Sequence, residues 1–417
     1  VRGKQKPKHR LRWVLCGESK NRNTACGGFC AGKAKTETPL AVGFVRGKQL
    51  VRSEVEKNID ASSAQREVAG LDEFARIRYW TDGRQSPALL QAQGVVLGIG
   101  DDAAIVETPP GEVGGNLQWL MAVDTMVETV HFNDMTMEPF DIGWKALAAN
   151  ISDIAAMGGE PRHALVSVSA PPAWEPARIR RLYDGLYACA DAYGVAIVGG
   201  DTTSAPLHMV VSVTVMGTVT AGAAIRRAGA APGDAVFVTG PAGMSAAGLH
   251  ALLAAAAARG STPPGAAALV QAHQRPAPSV RAARMLAARG TVTSLNDISD
   301  GLASEAWEIA EASGVTIALR ESLLPRSGSM TSYAHSCGED PLTWILYGGE
   351  DYVLLGTMAA ADAQAAKAEL AAAGLPFYVI GEVEAGAAGV TLIRDFDSRN
   401  EPKREALAKR GYNHFGN

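Results

Sequence analysis

No apolar run in this sequence reaches the roughly 18–20 residues that a membrane-crossing helix requires. The alanine-rich stretch Ser245–Arg259 comes nearest, but it is too short and too weakly apolar, and it predicts a packed helix. Cysteine is scarce: five residues, odd in number and unevenly placed, make no disulfide framework, and the expected location is a reducing cytoplasm. The first seventy residues lack the apolar core of a secretory signal. Strong charge of one sign is also missing, since the net value is −4 over 417 residues. That balance conceals an asymmetry. Residues 1–52 hold 13 Lys and Arg against two acids, which leaves the rest of the chain at −15. An acidic body argues against a nucleic-acid partner and suits cation-bridged phosphates, and without a long apolar run no membrane partner is expected. With 47% hydrophobic residues, a chain of this length builds two or three domains with real cores.

Residues 1–70 are basic, rich in Gly, Lys, Arg and Ser, and repeat VRGKQ at Val1–Gln5 and Val45–Gln49. This composition predicts a disordered or non-native extension. Two motif-like features within it fail on chemistry. Gly27–Ala34 (GGFCAGKA) nearly matches G-x-x-x-x-G-K-[ST], but Ala34 lacks the metal-binding hydroxyl and no strand precedes the loop. Cys16, Cys26 and Cys30 with His9 fit no common zinc spacing, so free thiols are expected.

What the sequence does have is acid in glycine-rich turns. Gly98–Ala104 reads GIGDDAA and follows the strand-like run Gly94–Ile99, placing Asp101 and Asp102 side by side. Adjacent carboxylates repel unless something cationic shares the site. Aspartates recur in Ala122–Thr125 (AVDT), Asn150–Ile154 (NISDI), Gly199–Thr202 (GGDT) and Asn296–Gly301 (NDISDG). Scattered aspartates at strand ends and turns are how a chain holds Mg²⁺, a hard ion that prefers carboxylate oxygen. Gly98, Gly100 and Ala103, with Asp124 about twenty residues on, also satisfy the dinucleotide pattern G-x-G-x-x-[GA]. That reading fails because Asp101 and Asp102 would face a pyrophosphate without a cation. In addition, Pro109–Gly111 deny the helix that should follow.

The remaining pattern is α/β. Helices are predicted at Leu71–Trp80, Asp141–Met157 (amphipathic, stopped by Gly158 and Gly159), Ala177–Tyr193, Ala303–Ser313 and Ala359–Ala373, the last on the surface. Strands are predicted at Leu117–Val123, ending at Asp124, and at Ala164–Ser169. Others are Val195–Val198, ending at GGDT, Ala235–Thr239 and Phe377–Val383. Small residues around Asp153 favour close packing over a solvated carboxylate. Gly240–Gly248 suits either a phosphate-binding turn or tight packing. Tyr347–Tyr352 (YGGEDY) is a second glycine–acid turn, and Gly411–Phe415 (GYNHF) an aromatic tail.

GIGDDAA, AVDT…HF, DIGWKALAANISDIAAMGGEP, GGDTTSAPL, DISDGL and YGGEDY, in this order and spacing, resemble the thiamine-monophosphate kinase family. Its superfamily includes aminoimidazole ribotide synthetase and selenophosphate synthetase. The resemblance covers about residues 71–417. It implies an α/β chain of the α+β type with two domains, 71–222 and 223–417. The first would carry a mixed sheet that pairs across a homodimer, and the second would form an α/β sandwich. It further implies transfer of the γ-phosphoryl of ATP to thiamine monophosphate, giving thiamine diphosphate. By motif, Asp102, Asp124, Asp153, Asp201, Asp297 and Asp300 are expected as Mg²⁺ ligands, several ions in all. Gly200, Asp201, Arg227 and Ser299 are expected at ATP, with Tyr183 placed there by spacing alone. His131, Glu350 and Tyr412 are expected near the thiamine substrate. One departure stands out: the family often has Ser/Thr-Thr before the AVDT aspartate, where this chain has Ala122 and Val123.

Phosphoryl transfer needs in-line placement and cations where charge develops, and an acceptor phosphate is already ionised. No dedicated general base is therefore expected. Rival expectations are a sister ATP-using enzyme of the superfamily and a non-catalytic Mg-nucleotide-binding module.

Overall fold

The structure is a computed structural model, and it describes residues 86–92, 94–107, 116–263, 265–394 and 403–412. The basic extension, its two motif-like features, the helix expected at Leu71–Trp80 and the last residues of the aromatic tail lie outside the described residues.

The first part of the chain builds a six-stranded sheet with helices on one face. Its elements are α1 (Pro87–Ala92), β1 (Val95–Leu97), β2 (Ala104–Val106), β3 (Leu117–Val127), α2 (Pro139–Ala156) and β4 (Glu160–Ala170). They continue with α3 (Pro176–Tyr193), β5 (Ala196–Ser204) and β6 (Val210–Thr220). The strand order is β1-β2-β3-β6-β4-β5. All neighbours are antiparallel except β4 and β5, whose parallel pairing requires the crossover helix α3 between them. Helices α2 and α3 approach closely because two glycines face each other's backbones. A Cβ at Gly143 would stand 1.9 Å from the Leu182 carbonyl oxygen, and one at Gly185 1.8 Å from that of Phe140. Leu147, Ile151, Ile154, Leu182 and Leu186 of the helices pack on Leu120, Val166, Val213 and Val215 of the sheet.

The second part builds a seven-stranded sheet covered on both faces. Its elements begin β7 (Asp234–Val238), α4 (Met244–Ala257), α5 (Ala267–Gln274), α6 (Val280–Arg289), β8 (Val292–Asp297), α7 (Leu302–Ser313) and β9 (Thr316–Arg320). They end with α8 (Gly328–Cys337), α9 (Pro341–Tyr347), β10 (Leu354–Ala359), α10 (Ala360–Ala372), β11 (Tyr378–Glu384), β12 (Gly389–Arg394) and β13 (Lys403–Ala406). The order is β13-β12-β9-β11-β7-β10-β8, with β9 and β12 parallel. Strand β7 is buried along its whole length. One core packs α4, α7, α8 and α9 on this sheet. The other packs α6 and α10, where Phe237 stacks on Phe377 at 4.8 Å between ring centroids.

Three elements differ from the sequence expectation. Helix α2 buries 14 of its 18 residues, so it is a central helix rather than an amphipathic one. Its C-terminal Ala155 and Ala156 enter the second domain's core. Strand β3 continues past Asp124 to Val127, and β5 runs through GGDT to Ser204, because the partner strands β6 and β4 extend far enough to pair them. Asp124 and Asp201 therefore sit within strands.

The sheet face away from α2 and α3 is apolar, and no described element covers it. On β3, Gln118, Leu120 and Ala122 turn inward, while Leu117, Trp119, Met121 and Val123 turn outward. Val96, Leu165 and Val198 are also exposed. Contiguous apolar surface on this scale is a mark of an interaction face.

A candidate phosphoryl-transfer cleft

A cleft of about 630 Å³ opens between the two sheets' domains, lined by residues of the β1–β2 loop, β3, α2, α4 and the turns after β8 and α9. Its inner end is acidic. The β1–β2 loop turns back at Gly100 and presents Asp101 and Asp102, with the Asp102 amide donating to Asp101 Oδ1 at 3.0 Å. The cation that such a pair demands is Arg227. Its Nη2 lies 2.5 Å from Asp102 Oδ1 and its Nε 3.3 Å from Asp102 Oδ2. Its amide donates to Asp101 Oδ2 at 3.3 Å. Burial, then the neighbouring Asp102, pushes the Asp101 carboxyl up to about 6.

Asp153 of α2 and Asp297 at the end of β8 converge on Asp102, and one carboxylate oxygen from each lies within 4.8 Å of the others. Burial, followed by Asp124 for Asp153 and by Asp102 for Asp297, drives both carboxyls well above the usual range. Asp297 Oδ2 is buried with no hydrogen-bond partner among the described residues. Three mutually repelling carboxylates with an orphaned oxygen form the oxygen-rich donor set that Mg²⁺ takes, so the residues present fit that ion. Asp124 and Asp300 line the same cleft. Buried Asn150 of α2 fixes the strand beside Asp124, accepting from its amide at 2.8 Å while donating to Ala146 O.

A second layer of acids backs this end. Glu308 of α7 meets Arg227 Nη1 at 3.0 Å. Glu305 accepts from Asn296 Nδ2 at 2.6 Å, from the Ser299 hydroxyl at 3.3 Å and from the Asp300 amide at 3.0 Å. Burial and Glu308 push the Glu305 carboxyl well up. The turn 299–301 is thus shaped by a buried glutamate.

The same cleft also carries groups suited to an organic ring. His131 Nδ1 accepts from the Val127 amide at 3.0 Å, which leaves Nε2 as the protonated nitrogen of the neutral ring. Its ring lies 6.4 Å from that of Tyr412, whose amide is tied to Asp300 O. Glu350 lies on the YGGEDY turn, with Tyr352 next but one, both at left-handed φ (65° and 54°) although neither is glycine. Leu249 and Leu253 of α4 add an apolar wall. The glycine-rich turn Gly240–Gly248 resolves towards packing: the Gly243 and Ser245 amides donate to buried Asp351, at 2.5 and 2.9 Å.

The cleft therefore gathers Asp102, Asp124, Asp153, Asp297, Asp300, Arg227, Ser299, His131, Glu350 and Tyr412. It does not gather Tyr183, Gly200 and Asp201. These sit on α3 and on the edge strand β5. Asp201 shares a sheet row with Ser167, Ser212 and Thr125, so it lies three strand spacings, about 14 Å, from Thr125 at the cleft wall. Gly200 has a packing reason of its own. At φ 153°, a Cβ there would stand 1.8 Å from the Val166 carbonyl oxygen.

Sequence reasoning missed Lys145, Asn150, His273, Glu305, Glu308 and Asp351. For Lys145 and Asn150 a signal existed, because polar side chains within a helix whose Gly, Ala and Ile residues surround it imply buried partners. His273 and the α7 glutamates read as ordinary surface residues.

Comparison with known proteins places the chain in a family. The family descriptions "AIR synthase related protein, N-terminal domain" and "AIR synthase related protein, C-terminal domain" match residues 100–219 and 231–393. Thiamine-monophosphate kinase of Bacillus subtilis (strain 168) is 40% identical over 345 residues, covering 83% of this chain and all of that protein. The solved structure "AaThiL complexed with AMPPCP and TMP" superposes with a TM-score of 0.67 at 30% identity, over 82% of this chain and 97% of the other. Thiamine monophosphate kinase from Aquifex aeolicus gives a TM-score of 0.60 at 32% identity, over 71% and 91%.

Proposed function

Since the chain belongs to the thiamine-monophosphate kinase family, within the AIR synthase related proteins, we propose that it transfers the γ-phosphoryl of ATP to the phosphate of thiamine monophosphate. The observation that carries this reading is the cleft's mixed lining. Asp102, Asp153 and Asp297 bring carboxylate oxygens within 4.8 Å of one another, and His131, Glu350 and Tyr412 line the same cleft. A substrate that joins a phosphate to a nitrogen-containing ring system fits that lining.

In this mechanism Asp102, Asp124, Asp153, Asp297 and Asp300 would hold several Mg²⁺ ions, which neutralise and orient the phosphates. Arg227, its fork held by Asp102 and its third nitrogen by Glu308, adds a fixed positive charge beside the phosphates. His131, Glu350 and Tyr412 hold the acceptor's ring system, so that its phosphate enters the acidic end in line with the donor. No side chain is needed as a general base, because the attacking phosphate oxygen is ionised near neutral pH.

The enzyme would work as a cytoplasmic homodimer. The uncovered face of the six-stranded sheet, with Leu117, Trp119, Met121 and Val123 outward, supports a second copy packed on it. The strand order places the acidic β1–β2 loop at one edge of that face and β5 at the other. A two-fold pairing of such faces would bring the β5 edge of one protomer, with Gly200 and Asp201, towards the partner's acidic loop. Tyr183 on the adjacent α3 would follow. Both outlying groups would then join one ATP site.

The test is ADP release with Mg-ATP and thiamine monophosphate, with free thiamine as control. Turnover on the monophosphate alone is expected. Silence with both acceptors would overturn the assignment in favour of a sister reaction of the superfamily.

A further inference from the structure

Among the described residues of the first domain, the best-buried cation is Lys145, at 0% exposure in the middle of α2. An ammonium in such a place is tolerated only with partners. Its Nζ donates to Glu350 Oε2 at 2.7 Å and lies 3.4 Å from His273 Nδ1. His273 cannot share the cationic role, because burial and Lys145 push its imidazole down to about 2. Ser245 Oγ completes the cluster, 3.1 Å from the same Nδ1. Glu350 itself is held twice. Its backbone is fixed at φ 65° with the amide donating to Ser299 O at 2.7 Å, and its side chain, 28% exposed towards the cleft, ends on Lys145.

Lys145 reaches Glu350 from the other domain, across a seam that leaves it little freedom. Four consecutive residues, 273–276, each bond to the segment 136–145. Beside the His273 contact, Gln274 Nε2 donates to Thr136 O at 2.7 Å and Arg275 Nε to Asp141 Oδ1 at 2.5 Å. Trp144 Nε1 donates to Pro276 O at 2.9 Å. The same helix carries Asp153 eight residues further on, about 12 Å along its axis. One rigid helix thus sets both the acidic end of the cleft and the position of Glu350.

We propose that Lys145 is a positioning residue for the acceptor: it fixes the Glu350 carboxylate from the opposite domain and offsets its charge. Glu350 then receives a hydrogen-bond donor of the acceptor's ring system and does not act as a lone counter-ion. This rests on the reading above that Glu350 faces the acceptor.

A double-mutant cycle on the full chain tests it, with kcat and both KM values measured for Lys145→Met, Glu350→Gln and the pair. Lys145→Met should raise the KM for thiamine monophosphate about tenfold, equivalent to ~1.4 kcal/mol, with the KM for ATP changed less than about twofold. In the Glu350→Gln background, Lys145→Met should add less than about twofold. Multiplying effects, or equal rises in both KM values, would overturn the proposal. Should Lys145→Met alone fail to fold, the comparison of the double variant with Glu350→Gln still decides, since a neutral Met–Gln pair leaves no unpaired buried charge. An unchanged acceptor KM in Glu350→Gln alone would instead sink the placement of Glu350 against the acceptor.

Discussion

Arg227 grips Asp102 with a fork, Nη2 to Oδ1 at 2.5 Å and Nε to Oδ2 at 3.3 Å, while its third nitrogen meets Glu308 at 3.0 Å. A guanidinium can serve both acids at once because its donors are coplanar and fixed, whereas an ammonium is a point charge. Arg227→Lys should therefore lower kcat about 10- to 100-fold, which is ~1.4–2.7 kcal/mol of transition-state stabilisation. Steady-state kinetics check this. An unchanged kcat would mean that the fork matters only for folding.

The acidic cluster predicts a trade between stability and activity. Asp153 and Asp297 are pushed well above the usual carboxylate range by burial and by each other's neighbours. Removing one charge relieves that repulsion in protein stripped of divalent ions. Asp297→Asn should raise the unfolding temperature measured in chelator, abolish the further rise on adding Mg²⁺, and cut turnover at least about a hundredfold. A variant that unfolds at a lower temperature in chelator would contradict the electrostatic account.

The aspartates of this cluster were legible in the sequence because each sits in a short glycine- or serine-containing motif, and their order along the chain carried the family resemblance. The alternation in β3 and the central position of α2 were only half legible. Outward-facing Trp119 and Met121 look like core residues in a linear pattern, and only the sheet's one-sided helix cover shows them to be uncovered. Arg227 was found by motif, yet its partner Glu308 and the neighbouring Glu305 were not, since isolated acids on a helix are ordinary in any sequence. The separation of Asp201 from Asp102 depends on strand order, which a motif does not encode.

Stability should fall with pH across the weakly acidic range. Burial pushes the Asp351 carboxyl up to about 7, against the lowering effect of the Ser245 and Gly243 amides. A folded-state value above the unfolded one means that the folded chain binds more protons between the two. The contribution to stability is then full below about pH 4 and is lost as the pH rises through about 7. Asp101, raised to about 6, acts in the same direction, and buried His273, pushed down to about 2, offsets part of the loss below about pH 6.5. The unfolding temperature in chelator should drop by several degrees between pH 4.5 and 7.5. Asp351→Asn, which keeps an oxygen for one amide, should flatten that slope. An equal slope in the variant would place the titration elsewhere.

The two residues before Asp124, where the resemblance leads one to expect hydroxyls, are not equivalent. Ala122 turns into the core at 8% exposure, but Val123 is 61% exposed and lines the cleft next to Asp124. Only the second position lines the cleft that the aspartates share. Val123→Ser should therefore tighten the Mg²⁺ requirement, lowering the half-saturating concentration about three- to tenfold, a gain of up to ~1.4 kcal/mol. Ala122→Ser should leave it unchanged, because its hydroxyl would point among apolar side chains, and should lower the unfolding temperature instead. Magnesium titrations of initial rate at saturating ATP separate the two. Equal effects at both positions would mean that the departure acts through the strand's stability and not through an ion.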